Sequence, residues 1–366
     1  MTTRPLRVGV VGVNFGAVVH IPAFQSEGVE VAAVCSRRPE RGQECAKQFD
    51  IPNVFADYDE MLRSDIDAVS IASPVPLHHP MTMAALDAGK HVICEKPFTL
   101  NAGLAAEMCQ KAQQTVKTAM IAHEFRYASG RMRAKELIDE GYIGDLRLCL
   151  MTLVQGGSAR AGRITDGPQV YSAERDDASL GAGFLWGLGS HYIDCLRHWF
   201  GEVESVSGDV ATFNTDRLSG GDVVKATADD TFSFTLHFAR GGMAQMVASR
   251  AAPFGAGPGV EIYGSAGSLI APQRGVNPPA HGTLLGARVG EEKLQELEIP
   301  ERLQPFADDR DDRLMPFRLL VRDFLRGVEE GTSPAPNFYD GWRCQQVLDA
   351  VRESSATGRR VTIAAD

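Results

Sequence analysis

Two short segments about eighty residues apart carry the groups best suited to chemistry. The first, Val8-Gly9-Val10-Val11-Gly12-Val13-Asn14-Phe15-Gly16-Ala17-Val18-Val19-His20, reads as a buried strand, a tight glycine-bearing turn and the start of a helix. The second, His91-Val92-Ile93-Cys94-Glu95-Lys96-Pro97-Phe98, reads as another buried strand ending in a charged step. In a parallel α/β sheet both turns fall at the carboxyl edge of the strands, where such folds bind ligands. The first turn can cradle a dinucleotide pyrophosphate. The second can bring a lysine to the reactive end of that cofactor.

Set against the pattern G-x-G-x-x-G, the first turn has Gly12, Asn14 and Ala17 in its three places. The first glycine permits a tight turn, the second a close backbone approach to pyrophosphate, and the third close helix packing. Asparagine is the best non-glycine choice where a positive φ is needed. The helix expected from Phe15 and Gly16 onward offers free N–H groups to phosphate. A turn that merely packs a helix on a strand would use the same glycine, and the strand-turn-helix context favours the cofactor reading. At the end of the second strand stand Ser36, Arg37 and Arg38, with no acid until Glu40. A carboxylate there would accept from the ribose 2′-hydroxyl of NAD; a hydroxyl and guanidiniums suit a 2′-phosphate instead. The expectation is NADP(H) in preference to NAD(H).

These turns need elements to hold them. Apolar strands at 6–11, 29–35, 68–72, 91–94 and 118–121 alternate with helices at 15–25, 39–49, 80–88 and 101–115, which implies a doubly covered parallel sheet. After a helix near 131–140 the texture changes. Longer segments at 146–154, 203–210, 231–238, 243–250 and 260–263, several alternating apolar and polar, predict an α+β domain on a largely antiparallel sheet. Helices near 314–329 and 339–354 close the chain. The expected division is a dinucleotide-binding domain over 1–125 and a substrate and oligomerisation domain over 126–366, with the late helices free to pack back on the first. Residues 155–180 read as a long, functional loop.

Composition bounds the function. At 366 residues the chain is long enough for two domains. A net charge of -10 argues against a nucleic-acid surface. No apolar run approaches the roughly 18 residues of a membrane span. Met1-Thr2-Thr3-Arg4-Pro5 leads into a strand with no secretory segment, and seven cysteines stand without a Cys-x-x-Cys pair. Reduced thiols in a cytoplasmic protein are expected.

The chain resembles the glucose–fructose oxidoreductase / inositol dehydrogenase / rhizopine-catabolism (Gfo/Idh/MocA) oxidoreductases. The resemblance rests on the turn at 12–20, on Ser73-Pro74-Val75-Pro76-Leu77-His78, on Ala88-Gly89-Lys90-His91-Val92-Ile93-Cys94-Glu95-Lys96-Pro97, and on Gly181-Ala182-Gly183 leading to Gly189-Ser190-His191-Tyr192-Ile193-Asp194. It implies a Rossmann domain, doubly wound, followed by an α+β domain with a large, mostly antiparallel open sheet often used for contacts between copies. It implies a homo-oligomer, dimer or tetramer, acting on a secondary alcohol or ketone of a sugar, cyclitol or similar polyol. By the same resemblance Lys96 binds the reacting oxygen beside the nicotinamide and His191 exchanges the proton. Ser73, Pro74, His78, Glu95 and Pro97 join the cofactor residues. His123, Glu124 and Arg126, beyond the strand at 118–121, and Tyr171, Arg175 and Asp194 are candidate substrate contacts. His20 reads as structural. His191, Asp194 and His198 share a helical face, but no metal is expected.

One position departs from the pattern. Many relatives place an aspartate four residues before the histidine, and here that residue is Gly187. Asp176 and Asp177 are candidates for the missing acid by position. A non-catalytic dinucleotide sensor, or a lyase or glycosidase with a retained nicotinamide, would use the same scaffold.

Overall fold

In a computed structural model, the structure describes residues 4–156, 169–253, 255, 257–272 and 283–364. The chain divides into two compact units: residues 1–127 with 308–345, and residues 128–307 with 346–366.

The first unit runs β1 (Arg7–Val11), α1 (Ile21–Ser26), β2 (Glu30–Cys35), α2 (Pro39–Phe49), β3 (Asn53–Phe55), α3 (Tyr58–Arg63), β4 (Ala68–Ile71), α4 (His78–Asp87), β5 (His91–Cys94), α5 (Ala102–Gln113) and β6 (Ala119–Ile121). The six strands are parallel, in the order β3-β2-β1-β4-β5-β6. Side chains alternate between two apolar cores. Val8, Val10, Ile93 and Met120 face one, while Val11, Val92, Cys94 and Ile121 face the other. Both faces of the sheet are therefore covered, which is why the strands read as unbroken apolar runs.

The expected helix at 15–25 is two pieces. Gly16–His20 forms a wide π-helical turn, with the Ile21 N–H donating to the Gly16 carbonyl, and α1 follows. Pro22 explains the break: it has no N–H for the Val18 carbonyl, and its ring crowds an ordinary α turn there. β3 and α3 are elements without a counterpart in the sequence pattern; α3 is capped by Asp57, whose Oδ1 accepts from the Glu60 N–H at 2.9 Å.

The second unit begins with α6 (Ser129–Asp139), β7 (Leu146–Gly156), β8 (Gln169–Val170), α7 (Ala173–Asp176) and α8 (Ser190–Phe200). It continues with β9 (Val203–Ala211), β10 (Asp216–Ser219), β11 (Asp222–Lys225), β12 (Thr231–Phe238), β13 (Met243–Pro253), β14 (Gly257–Gly264), β15 (Gly267–Pro272), β16 (Leu284–Arg288) and β17 (Gln295–Leu297). After α9 (Leu314–Glu330) and α10 (Phe338–Thr357), β18 (Val361–Thr362) completes a nine-stranded sheet, β17-β16-β15-β14-β7-β13-β12-β9-β18. All its pairs are antiparallel except β7 with β13. Along β12 every second residue is buried, and Phe232 and Phe238 meet Phe184 and Phe200 at ring separations of 5.7 and 5.5 Å. That packing sets α8 against the sheet. β8, β10 and β11 make a small separate sheet. Residues 157–168 of the loop expected over 155–180 lie outside the described residues; the remainder includes β8 and α7.

α9 belongs to the first unit. Leu314, Phe317, Leu320, Val321 and Phe324 are all wholly buried in the core that holds Val8, Val10 and Phe24. All seven cysteines are buried free thiols. No helix among the described residues is long and apolar enough to cross a membrane.

Candidate active site

The turn after β1 is shaped by the lack of a side chain. Gly12 sits at φ +91°, and a Cβ there would lie 2.2 Å from the Ala72 carbonyl oxygen at the end of β4. The Gly12 N–H donates to the Cys35 carbonyl (3.0 Å), so the turn is tied to the end of β2 as well. Three strand ends thus converge on one glycine, at the point where the sheet order reverses and dinucleotides bind. Gly16 packs closely too, a Cβ there falling 3.1 Å from Val10. The expectation for Asn14 needs correction. Among the described residues Asp50 is the non-glycine at positive φ, so Asn14 needs no left-handed backbone. The reversal is taken up at Gly12, and the Asn14 side chain instead accepts from Arg41 (3.0 Å), an arginine of α2 that the sequence reading passed over.

At the end of β2, Ser36 is half-buried and Arg37 and Arg38 are exposed. The Ser36 hydroxyl donates to the Arg38 carbonyl (3.1 Å) and accepts from the Arg38 N–H (3.2 Å). The fold brings Asp57 to the same region: its charge, after burial, helps push the Cys35 thiol up to about 11.

The turn after β5 is built from side chains. His20, wholly buried, donates from Nε2 to Glu95 Oε1 (3.0 Å), and its Nδ1 shares a hydrogen with the Ser70 hydroxyl (2.7 Å). Glu95 Oε2 in turn accepts from the Lys96 N–H (3.1 Å). Burial alone would raise the Glu95 pKa. The His20 hydrogen bond, with the charges of His20 and Lys96, instead holds it below the ordinary carboxylate value. The π turn therefore has a job: it delivers His20 from the cofactor turn to the lysine turn.

Lys96 is half-buried, and the Lys96–Pro97 peptide is cis. His78 belongs to a helix. It is buried at the head of α4, with Nδ1 2.9 Å from the Pro97 carbonyl and Nε2 2.8 Å from the Ser73 carbonyl. Burial lowers its pKa against the pull of both carbonyls and of Glu95. The neutral ring donates to one carbonyl and rests against the other, fastening the Ser73-Pro74 turn to the Lys96-Pro97 turn. It acts on the cofactor turn from behind.

Beyond β6, His123, Glu124 and Arg126 are all buried. The Arg126 guanidinium lies 3.0 Å from Asp340 and joins this edge to the start of α10. At the head of α9, Arg313 stacks 4.9 Å from the Phe15 ring, which meets His20 edge-on at 5.5 Å. Phe15 is thus fixed from both sides.

In the second unit, His191 and Asp194 are both buried on α8, one turn apart. A second π-helical turn, Leu185–Gly189, leads into that helix. Its start is held by Asp229, which accepts from the Leu185 N–H (2.7 Å). Gly183 at φ +135° leaves room for it: a Cβ would lie 2.1 Å from Asp229 Oδ1. A Cβ at Gly187 would meet nothing within 4 Å, so packing does not demand glycine there. The candidate stand-ins are committed elsewhere. Asp176 is buried, lies 2.9 Å from Arg217 and 3.0 Å from Arg175, and accepts from the Ser172 N–H (2.8 Å). Burial would raise its pKa, and these partners hold it below the usual value. Asp177 caps the Ala178–Leu180 turn by accepting from the Ser179 N–H and hydroxyl. Arg175 is spent on Asp176 and the Val170 carbonyl, and the Tyr171 N–H donates to the Leu218 carbonyl (2.7 Å).

A six-stranded parallel sheet with a turn that excludes a Cβ at its switch point, and a lysine turn on the same edge, defines a dinucleotide-binding oxidoreductase. The chain belongs to the GFO/IDH/MocA family. Residues 6–123 match the model described as an oxidoreductase family with an NAD-binding Rossmann fold, and residues 132–270 match the GFO/IDH/MocA C-terminal domain. It is 30% identical over 360 residues to an uncharacterized oxidoreductase of Synechocystis sp., covering 97% of this chain and 95% of that one. It is 26% identical over 405 residues to levoglucosan dehydrogenase of Pseudarthrobacter phenanthrenivorans, covering 96% of each. Among solved structures it is similar to levoglucosan dehydrogenase in complex with NADH and L-sorbose, with a TM-score of 0.87, 25% identity, and coverage of 98% of this chain and 99% of that one.

Proposed function

We propose that this protein transfers hydride between NADP(H) and a secondary alcohol or ketone of a sugar, cyclitol or similar polyol. The observation that carries the reading is the pairing of two turns on one sheet edge. At Gly12 a missing Cβ lets the turn close tightly on the end of β4, as a pyrophosphate turn requires, and at Lys96 a cation stands beside a carboxylate that is itself buried and ionised. The dinucleotide supplies the hydride donor or acceptor. Gly12, Asn14, Phe15 and Gly16 would hold its pyrophosphate, with Ser73, Pro74 and Pro97 along the neighbouring strand ends.

Lys96 holds the substrate oxygen and steadies the negative charge that collects there as hydride leaves or arrives. His191 exchanges the proton, a role suited to imidazole near neutral pH. His123, Arg126, Tyr171, Arg175 and Asp194 are the proposed substrate contacts. The relative named levoglucosan dehydrogenase supports the substrate class, and a homo-oligomer is the expected working form.

The preference for the phosphorylated cofactor rests on Arg37 and Arg38, exposed at the end of β2, and on Arg41 beside Asn14. Guanidiniums bind a 2′-phosphate through paired, charge-assisted hydrogen bonds. Fluorescence titration with NADPH and NADH, after any carried-through cofactor is removed, tests this. NADPH should bind at least about tenfold more tightly, and Arg37→Asp should erase the difference. Tighter NADH binding would overturn the phosphate reading, and no binding of either would overturn the redox reading.

A further inference from the structure

Two glycines of the π turn that leads into α8 differ in what holds them there. At Gly189 a Cβ would press on Leu185 at 3.0 Å and on the Phe232 ring at 3.2 Å, so packing on β12 requires glycine. At Gly187 a Cβ would meet none of the described residues within 4 Å, and the backbone is not left-handed. Neither conformation nor packing accounts for a residue that weakens a helix interior. Gly187 is half-buried and stands one turn before the buried His191. With Asp194 the three fall at i, i+4 and i+7, on one helix face, opposite the one that Gly189 sets on β12. Space is what this glycine supplies, on the side of the histidine.

The candidate acids are committed elsewhere. Asp176 is paired with Arg217 and Arg175, Asp177 caps the Ala178–Leu180 turn, and Asp229 accepts from the Leu185 N–H (2.7 Å). Positive charge lies near. Phe184 is three residues before Gly187 and so its neighbour on the helix surface. The Arg250 guanidinium stacks 5.4 Å from the Phe184 ring, and Arg250 is exposed. Its Nη2 donates to the Asp229 carbonyl (3.3 Å), and among the described residues it makes no salt bridge.

We propose that the space at Gly187 receives a carboxylate carried by the substrate, which is therefore a sugar acid, aldonic or uronic. The inference rests on the reading of His191 as the group that exchanges the proton. In oxidation the carbinol C–H bond breaks and its hydride passes to NADP⁺. The O–H proton goes to His191 while that bond's electron pair closes the C=O bond. The imidazolium then releases its proton to solvent. The substrate carboxylate keeps its charge throughout. It steadies the imidazolium and orients the ring, as an aspartate does for a catalytic histidine. Reduction runs the same transfers in reverse.

NMR of the histidine ring protons in the full chain near neutral pH, with formate as the probe, tests this. With ionic strength held constant by chloride, formate should shift the His191 signals saturably and leave the other histidines in place. D-Gluconate should give the same shift at about one-tenth the concentration, through the added hydrogen bonds of its hydroxyls. D-Glucitol, its neutral counterpart, should give none. Gly187→Asp should put the His191 signals near their formate-saturated position and remove the response. A His191 that ignores formate or gluconate, an equal response to glucitol, or a Gly187→Asp protein that still responds would overturn the proposal. If Gly187→Asp fails to fold, the three titrations of wild type still decide it. Failure to bind NADPH or NADH would instead remove the redox reading and leave these shifts standing.

Discussion

The Gly12 turn and the Lys96 turn share one edge of one sheet and are held in opposite ways. The first is specified by something missing: no Cβ, a left-handed φ, and backbone from β2 and β4 packed into the space. The second is specified by buried groups reaching it from elsewhere: His20 from the π turn, Ser70 from β4, His78 from α4. A turn of the first kind presents N–H groups and shape, which suits a cofactor bound and released whole. One of the second kind presents tuned charge, which suits the reacting atoms.

The contrast can be broken at either turn. Lys96→Met should have the largest effect, lowering turnover about 10³-fold while NAD(P)H affinity stays within a few-fold, because the charge serves the transition state and not the cofactor's shape. Steady-state kinetics beside fluorescence titration separates the two, and a parallel loss of cofactor binding would merge the two turns into one function. His20→Leu should come next, costing about 3 kcal/mol in urea unfolding by leaving Glu95 buried without its donor. Since Glu95 has a depressed pKa in the fold, the stability it contributes is present above its ordinary value of 4.5 and is lost as pH falls through the folded value. The wild-type advantage over His20→Leu should therefore shrink below about pH 4.5. Gly12→Ala should be smaller, about 2 kcal/mol, or roughly 30-fold in NAD(P)H affinity, from a strained φ and a shifted Ala72 carbonyl. An unchanged affinity would mean that the turn is only a packing device.

The parallel sheet was legible because its strands are buried on both faces, so Val8, Val10 and Val11 all had to be apolar although they point to different cores. β3 was not: three residues give no period to read, and α3 is six residues set by one Asp57 cap. In the second unit β12 showed its alternation, but nothing local announces that β7 and β13 pair in parallel. At the site, Gly12 and Lys96 stand in local motifs and could be found. The His20–Glu95 bond spans 75 residues of sequence, and the clamp at His78 uses two backbone carbonyls, which leave no trace in residue types. Asn14 shows the converse error. A residue type suited to a left-handed turn was read as occupying one, although its neighbour Gly12 had already made the reversal.

α9 fixes the order in which the chain can fold. Phe317 and Phe324 seal a core whose strands are synthesised well before them, since residues 128–307 must be made in between. At about 5–20 residues per second, that interval lasts on the order of ten to forty seconds. During it the apolar face around Val8, Val10 and Phe24 waits without its cover.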